Sequence, residues 1–347
     1  METAPKKESN AINHREQRSW KTSTGAIACA VSLLSAVIRA TRDRAGQHCY
    51  AAGKRFVMIV YLYSGFAGLR DLILSALGRS RVVVVYYHRI GQPDVLTRSL
   101  RDFEQDLRYY KENYECLSLS ELCWRLKSGV TFRRRAVVIT FDDGYRDNFT
   151  LAVPALRRAR LTATFFVATG YVGTTREFAH DHRQAPDRNE AESYPKLEWD
   201  DLRTMETLGF EVGSHTENHT NLGTASVQEV EQEVRDSFEA LNRRLGKNPR
   251  PFSFPWGKPS DISPAALQCV KRVGYYCAAS AYGGANRFGA STLDIKRIDV
   301  GNGGISRLAF KAKLAGFDPD YYRLKLRERS RAKSPVSVSG ELEIYCK

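Results

Sequence analysis

The segment Ile139-Thr140-Phe141-Asp142-Asp143-Gly144 places two adjacent carboxylates and a glycine at the end of an apolar run that begins at Ala136. Like charges at a strand tip repel and resist burial, so folding gains nothing from them. Chemistry can use them, because one carboxylate can hold a cation while its neighbour takes a proton. Further along, Gly209-Phe210-Glu211-Val212-Gly213-Ser214 runs into His215, and His219 follows four positions later. A carboxylate and two imidazoles delivered by strand ends make a three-ligand metal site with room for a water. Adjacent aspartates alone could cap the next helix, and an isolated HxxxH pair says little. Their combination points to metal chemistry. His180 and His182 form a further histidine pair, but they stand in a long polar loop, 170–198, and are expected to be solvated.

The elements that must position these groups alternate regularly from residue 81 onward. Arg81 to Tyr87 is a continuous β-branched and aromatic run, as strands buried on both faces are. Helices are expected over about 100–114, with Phe103, Leu107 and Tyr110 on one face, and over 118–127, which opens with a Ser-x-Ser-Glu start signal. The pattern continues with strand 136–141, a helix near 148–159, strand 162–168, helix 199–208 and strand 210–214. A charged helix near 226–245, strand 251–254, helix 264–273, strand 275–279 and a short strand 296–300 complete it. Such alternation implies a parallel sheet with helices outside. Polar residues gather at the C-terminal strand ends, where barrels carry their active sites, which favours a single distorted parallel (β/α)7-type barrel.

The bulk properties set limits. The chain has 347 residues, 42% of them hydrophobic, which is enough for a full core. The net charge of +14, with clusters at Arg133-Arg134-Arg135 and at Arg157, Arg158 and Arg160, is read as solvated faces. The alternative is attraction to an anionic surface. No zinc-finger, RNP or helix-turn-helix pattern occurs, so no nucleic acid partner is expected. Seven cysteines without a CxxC pair argue for buried thiols rather than a disulfide framework. Residues 1–80 form a leader. Its uncharged stretch 22–38 is short for the ~20 residues of a spanning helix and late for a signal peptide. The interrupted apolar run 56–77 reads as an amphipathic helix on the domain or on a bilayer surface. Residues 81–318 form the domain, and 319–347 form a basic tail expected to fray.

Three motifs carry a family resemblance. Thr140-Phe141-Asp142-Asp143-Gly144, Ser214-His215-Thr216-Glu217-Asn218-His219 and Phe252-Ser253-Phe254-Pro255-Trp256-Gly257 resemble those of the polysaccharide deacetylases (carbohydrate esterase family four, the NodB-homology domain). The resemblance covers about residues 81–317. It implies that Asp143, His215 and His219 bind a divalent metal, usually Zn²⁺, and that Asp142 is the general base. It also implies that the backbone N–H at Trp256 helps to hold the oxyanion. Imidazole and carboxylate donors suit zinc, and a bound cation lowers the pKa of a water towards ~7. Trp256 and Tyr145 are candidates to stack on a sugar ring, and Pro255 stands beside Trp256 in the same oxyanion and substrate-binding motif.

Two departures from the family pattern matter. Ser253 replaces the arginine that usually orients the base, and Arg250 cannot be assumed to substitute for it. The late histidine that usually serves as general acid is missing, since no histidine follows His219. His88, in Tyr86-Tyr87-His88-Arg89, is the candidate acid, because the chain resembles a subgroup with an N-terminal tyrosine–histidine strand. The expected function is metal-dependent N-deacetylation of an N-acetylated glycan, either a polysaccharide or lipid-linked, in the cell envelope. Peripheral membrane association is compatible with the leader, and no protein partner is inferable. The alternatives are an O-acetyl esterase using the same site and an inactive glycan-binding module.

Overall fold

The computed structural model describes Ser80 to Gly316, apart from positions 133, 185–193, 288 and 302, together with Ile73. Contacts divide the chain into Met1–Tyr63 and Ser64–Lys347, and every described residue belongs to the second unit. Apart from Ile73 and Ser80, the expectations for the leader lie outside the described residues, as do those for the basic tail.

The strands are β1 (Val82–Tyr87), β2 (Arg89–Gly91), β3 (Thr97–Ser99), β4 (Glu115–Leu117), β5 (Ala136–Phe141), β6 (Thr164–Val167), β7 (Glu211–Ser214), β8 (Pro251–Ser253), β9 (Cys277–Ala279) and β10 (Arg297–Asp299). The main sheet runs in the order β10-β1-β5-β6-β7-β8-β9, all parallel, with β4 sharing the first half of one edge of β5. A parallel bridge between Ala279 and Ile295 brings the β9 end of the sheet back to the segment leading into β10. The sheet is thus nearly closed, a distorted (β/α)7 barrel.

The helices follow the strands. α1 (Leu100–Asn113) is capped by the Ser99 side chain and buries Phe103, Leu107 and Tyr110. α2 (Leu119–Ser128) is capped by Ser118 accepting from the Glu121 N–H, and Gly129 ends it in the left-handed conformation. A π-helical turn, Asn148–Ala152, leads into α3 (Val153–Ala159). α4 (Ala179–Gln184) lies within the segment expected to be loop. α5 (Trp199–Thr207), α6 (Val227–Leu245), α7 (Pro264–Val273) and α8 (Arg307–Leu314) complete the set among the described residues.

Alternation along β5 decides which groups enter the barrel. Val137, Ile139 and Phe141 join the outer core beneath the helices, with Val83, Val85 and Phe103. Ala136 and Val138 join the inner cluster with Val82, Val84, Phe166 and Cys277. Side chains repeat every two residues in a strand, so Thr140 and then Asp142 continue the inner row. Close packing holds the strand ends in register. A Cβ at Gly213 would lie 2.6 Å from the Pro251 carbonyl oxygen, so β7 and β8 can pair this tightly only through a glycine.

Candidate metal centre

The Asp pair divides where β5 ends. Asp142 keeps the inner direction, and its N–H donates to the Tyr87 carbonyl at 3.0 Å. Asp143 turns into the left-handed region at φ 74°, followed by Gly144 at φ 82°. This reversal sends neighbouring carboxylates to different partners. A Cβ at position 144 would sit 2.9 Å from Val167 Cγ1, so only glycine fits there. His219 and Trp256 also have positive φ, 58° and 55°. At Trp256 the cause is a γ-turn closed by the Gly257 N–H donating to the Pro255 carbonyl at 2.6 Å. Strained backbone of this kind clusters at functional sites because the surrounding structure must hold it in place.

Asp142 is clamped by Arg297 of β10. Its two oxygens accept from Arg297 Nη1 and Nη2 at 2.7 and 2.8 Å. The guanidinium crosses the barrel interior fully buried. It also donates to Ser253 Oγ at 2.7 Å and to the Ser280 carbonyl at 2.8 Å. Burial alone would raise the Asp142 pKa. Arg297 is the largest opposing influence, and with His215 and His88 it holds the carboxylate below its ordinary value. An arginine that orients Asp142 is therefore present but comes from β10, and its Nη2 meets the small Ser253 side chain. Arg250 does not take that role, since it pairs with Glu206 and donates to the Val212 carbonyl.

Asp143 is surrounded by imidazoles. Its Oδ1 lies 3.5 Å from His215 Nε2 and 3.3 Å from His219 Nε2, and its Oδ2 lies 3.3 Å from His180 Nε2. These separations exceed the roughly 2.7–2.9 Å of charge-assisted hydrogen bonds, and both buried Asp143 oxygens lack a hydrogen-bond partner. Ligand atoms about 2.0–2.1 Å from a shared zinc ion at the tetrahedral angle stand roughly 3.3–3.4 Å apart. Each imidazole stands from the carboxylate at about co-ligand spacing, and the donor atoms of Asp143, His180 and His219, without His215, lie within 4.8 Å of one another. Burial raises the Asp143 pKa, but His180 and His219 outweigh it and hold the carboxyl far below its usual value.

The imidazoles are prepared for the same task. His215 Nδ1 lies 2.8 Å from the Ser253 carbonyl. A carbonyl only accepts, so Nδ1 carries the hydrogen and Nε2 offers its lone pair to the site. Burial, the leading cause, pushes the His215 pKa down to about 4, which keeps the ring in its neutral, ligating form. The turn carrying both histidines is fastened from two sides. Glu233 of α6 accepts from the Asn218 N–H at 2.7 Å and from its side-chain amide at 3.0 Å, and the Gly170 N–H donates to the Glu217 carbonyl at 2.8 Å. Orphaned carboxylate oxygens, a fixed imidazole tautomer and an N/O donor set together fit a divalent cation such as zinc.

The remaining candidates occupy distinct places. Trp256 is 42% exposed, and its ring lies 4.6 Å, centroid to centroid, from that of His219. It presents an aromatic face beside His219. Pro255 is buried beneath it. Tyr145 is fully buried, with its ring against Phe178 and Tyr194, and in this arrangement shows no face to a sugar. His88 stands between β1 and β2, its carbonyl accepting from Asn148 at 2.8 Å and its ring edge-on to Tyr86. The expectation that the 180/182 histidine pair is solvated fails at His180, which is drawn into the site by α4.

Residues 129–278 match the Polysaccharide deacetylase family. YxkH of Bacillus subtilis (strain 168), named by inference a polysaccharide deacetylase, is 24% identical over 234 residues, covering 67% of this chain and 76% of that protein. The poly-β-1,6-N-acetyl-D-glucosamine N-deacetylase of Staphylococcus aureus (strain MSSA476) is 26% identical over 178 residues, covering 51% of this chain and 58% of the relative. Two solved structures share the fold. The deacetylase PplD of Streptococcus pyogenes, in complex with acetate, has a TM-score of 0.56 at 23% identity, over 70% of this chain and 100% of that one. IcaB from Ammonifex degensii has a TM-score of 0.57 at 20% identity, over 68% and 96%.

Proposed function

We propose that this chain is a metal-dependent polysaccharide deacetylase that hydrolyses the acetamide of N-acetylated amino sugars in a polysaccharide or lipid-linked glycan. The observation that carries the reading is the split Asp pair, with Asp142 locked as a carboxylate by Arg297 and Asp143 set among imidazole nitrogens at ligand spacing. Asp143, His215 and His219 would hold the cation, with zinc favoured by the donor set. When bound, the cation supplies Lewis acidity to the acetamide carbonyl and to a water.

The chain's own residues supply the rest. Asp142, kept ionised at neutral pH, takes the proton of the attacking water as general base. In this reading the Trp256 backbone N–H would help to hold the oxyanion, and its exposed ring would lie against the sugar. His88, close enough for its charge to act on Asp142, protonates the departing amine. His88→Ala should slow turnover by roughly 10²-fold and change the basic side of the pH–rate profile; an unaltered profile would discard it as the acid.

An O-acetyl esterase would use the same groups. The argument against an inert glycan-binding module is Arg297, because sugar binding alone has no use for a fully buried cation clamped on a barrel-interior carboxylate. No described helix is long and apolar enough to cross a membrane, and the envelope location proposed here rests on the substrate class alone. Acetate release from chitooligosaccharides, poly-N-acetylglucosamine, peptidoglycan and acetylxylan tests the reading. Acetate from an amino sugar supports it, release from xylan alone selects the esterase, and glycan binding without acetate selects the module.

A further inference from the structure

We propose that His180 is a third imidazole ligand of the cation, so that the metal sits among Asp143, His180, His215 and His219 with a remaining position for water or substrate. The inference rests on the metal reading above and extends its ligand set. The donor atoms of Asp143, His180 and His219 lie within 4.8 Å of one another. His180 reaches Asp143 Oδ2 at 3.3 Å, on the opposite carboxylate oxygen from the other two histidines. Its approach therefore completes a shell around the carboxylate rather than duplicating a contact.

The ring is held there by construction. Phe178 stacks on His180 at 5.1 Å and 7° and in turn stacks on Tyr171 at 4.1 Å and 15°. The neighbouring Asp181 is fully buried and bound by Arg89 Nη1 at 2.5 Å, which fastens α4 to β2. Tyr145 Oη lies 2.9 Å from His180 Nε2 and 2.9 and 3.0 Å from the Asp181 oxygens. The phenol has one hydrogen, and the anionic carboxylate is the stronger acceptor for it. The phenol hydrogen is thus committed to Asp181, and the Tyr145 oxygen stands against the imidazole and fixes its orientation. Three nitrogens and one carboxylate oxygen bias the site towards zinc and away from magnesium, which prefers all-oxygen shells.

The test is X-ray absorption on the zinc-loaded full chain together with zinc affinity by chelator competition. Wild-type protein should show three imidazoles per zinc. His180→Ala and His180→Asn should show two, with zinc bound at least tenfold more weakly and the thermal midpoint of the metal-free protein little changed. Asp181→Asn, which loosens the anchor without removing a ligand, should weaken zinc by roughly 10–100-fold. Two imidazoles in the wild type, or unchanged count and affinity in both His180 variants, would overturn the assignment while leaving the deacetylase reading intact. A wild-type chain that takes up no zinc at all overturns both.

Discussion

Asp142→Asn is expected to lower deacetylation turnover by roughly 10²–10⁴-fold while the protein still binds its cation. Asparagine keeps the shape and can still accept one hydrogen bond from Arg297, but it cannot take a proton from water. The variant also leaves the buried Arg297 charge without an anionic partner. Removing one member of a buried pair costs roughly 3–5 kcal/mol, so a lower thermal midpoint is part of the expected result. The discriminating pair of measurements is acetate release and metal content on the folded fraction. Near-wild-type turnover would remove Asp142 from the mechanism. Loss of the cation would mean that the Asp142 and Asp143 roles are not separate.

Arg297→Met should act on the same carboxylate from the other side. Arg297 is the largest influence opposing the burial of Asp142, so without it the carboxyl pKa rises. The base must be ionised to work, and the acid limb of the pH–rate profile therefore moves to higher pH. Turnover near neutrality should fall by roughly 10–100-fold, as for lost support of a working group, and recover partly as pH is raised. Stability follows the same sign. The wild-type folded pKa of Asp142 is depressed, so the pair stabilises the fold above the unfolded value of about 3.9 and loses that contribution as pH falls through the folded pKa. The stability gap between wild type and Arg297→Met should be widest at neutral pH and narrow in acid. An unshifted acid limb would show that the guanidinium does not tune the base.

Asp143 and His215 stood out in the sequence because each follows directly on a strand with a readable pattern. β1 and β5 are unbroken apolar runs rich in β-branched and aromatic residues, and the glycine before Ser214 and His215 marks tight pairing. Arg297 stayed hidden for a physical reason. It meets Asp142 by crossing the barrel interior from a strand 155 residues away, and alternation gives the face of a strand but not the partner opposite. The available signal was a charged residue on the same face as buried Ile295, whose burial demands a counter-charge. His180 was missed because a polar loop containing aromatics resembles solvent-facing chain, and its six-residue helix is too short to show a period. β2, β3 and β4, each three residues long, escaped for the same reason.

Metal content per folded chain, measured for wild type and Asp143→Ala after zinc loading and removal of excess ion, bears most directly on the whole account. About one zinc per wild-type chain and essentially none in Asp143→Ala is the result the geometry requires. Equal zinc in the two proteins, or none in the wild type, would contradict it.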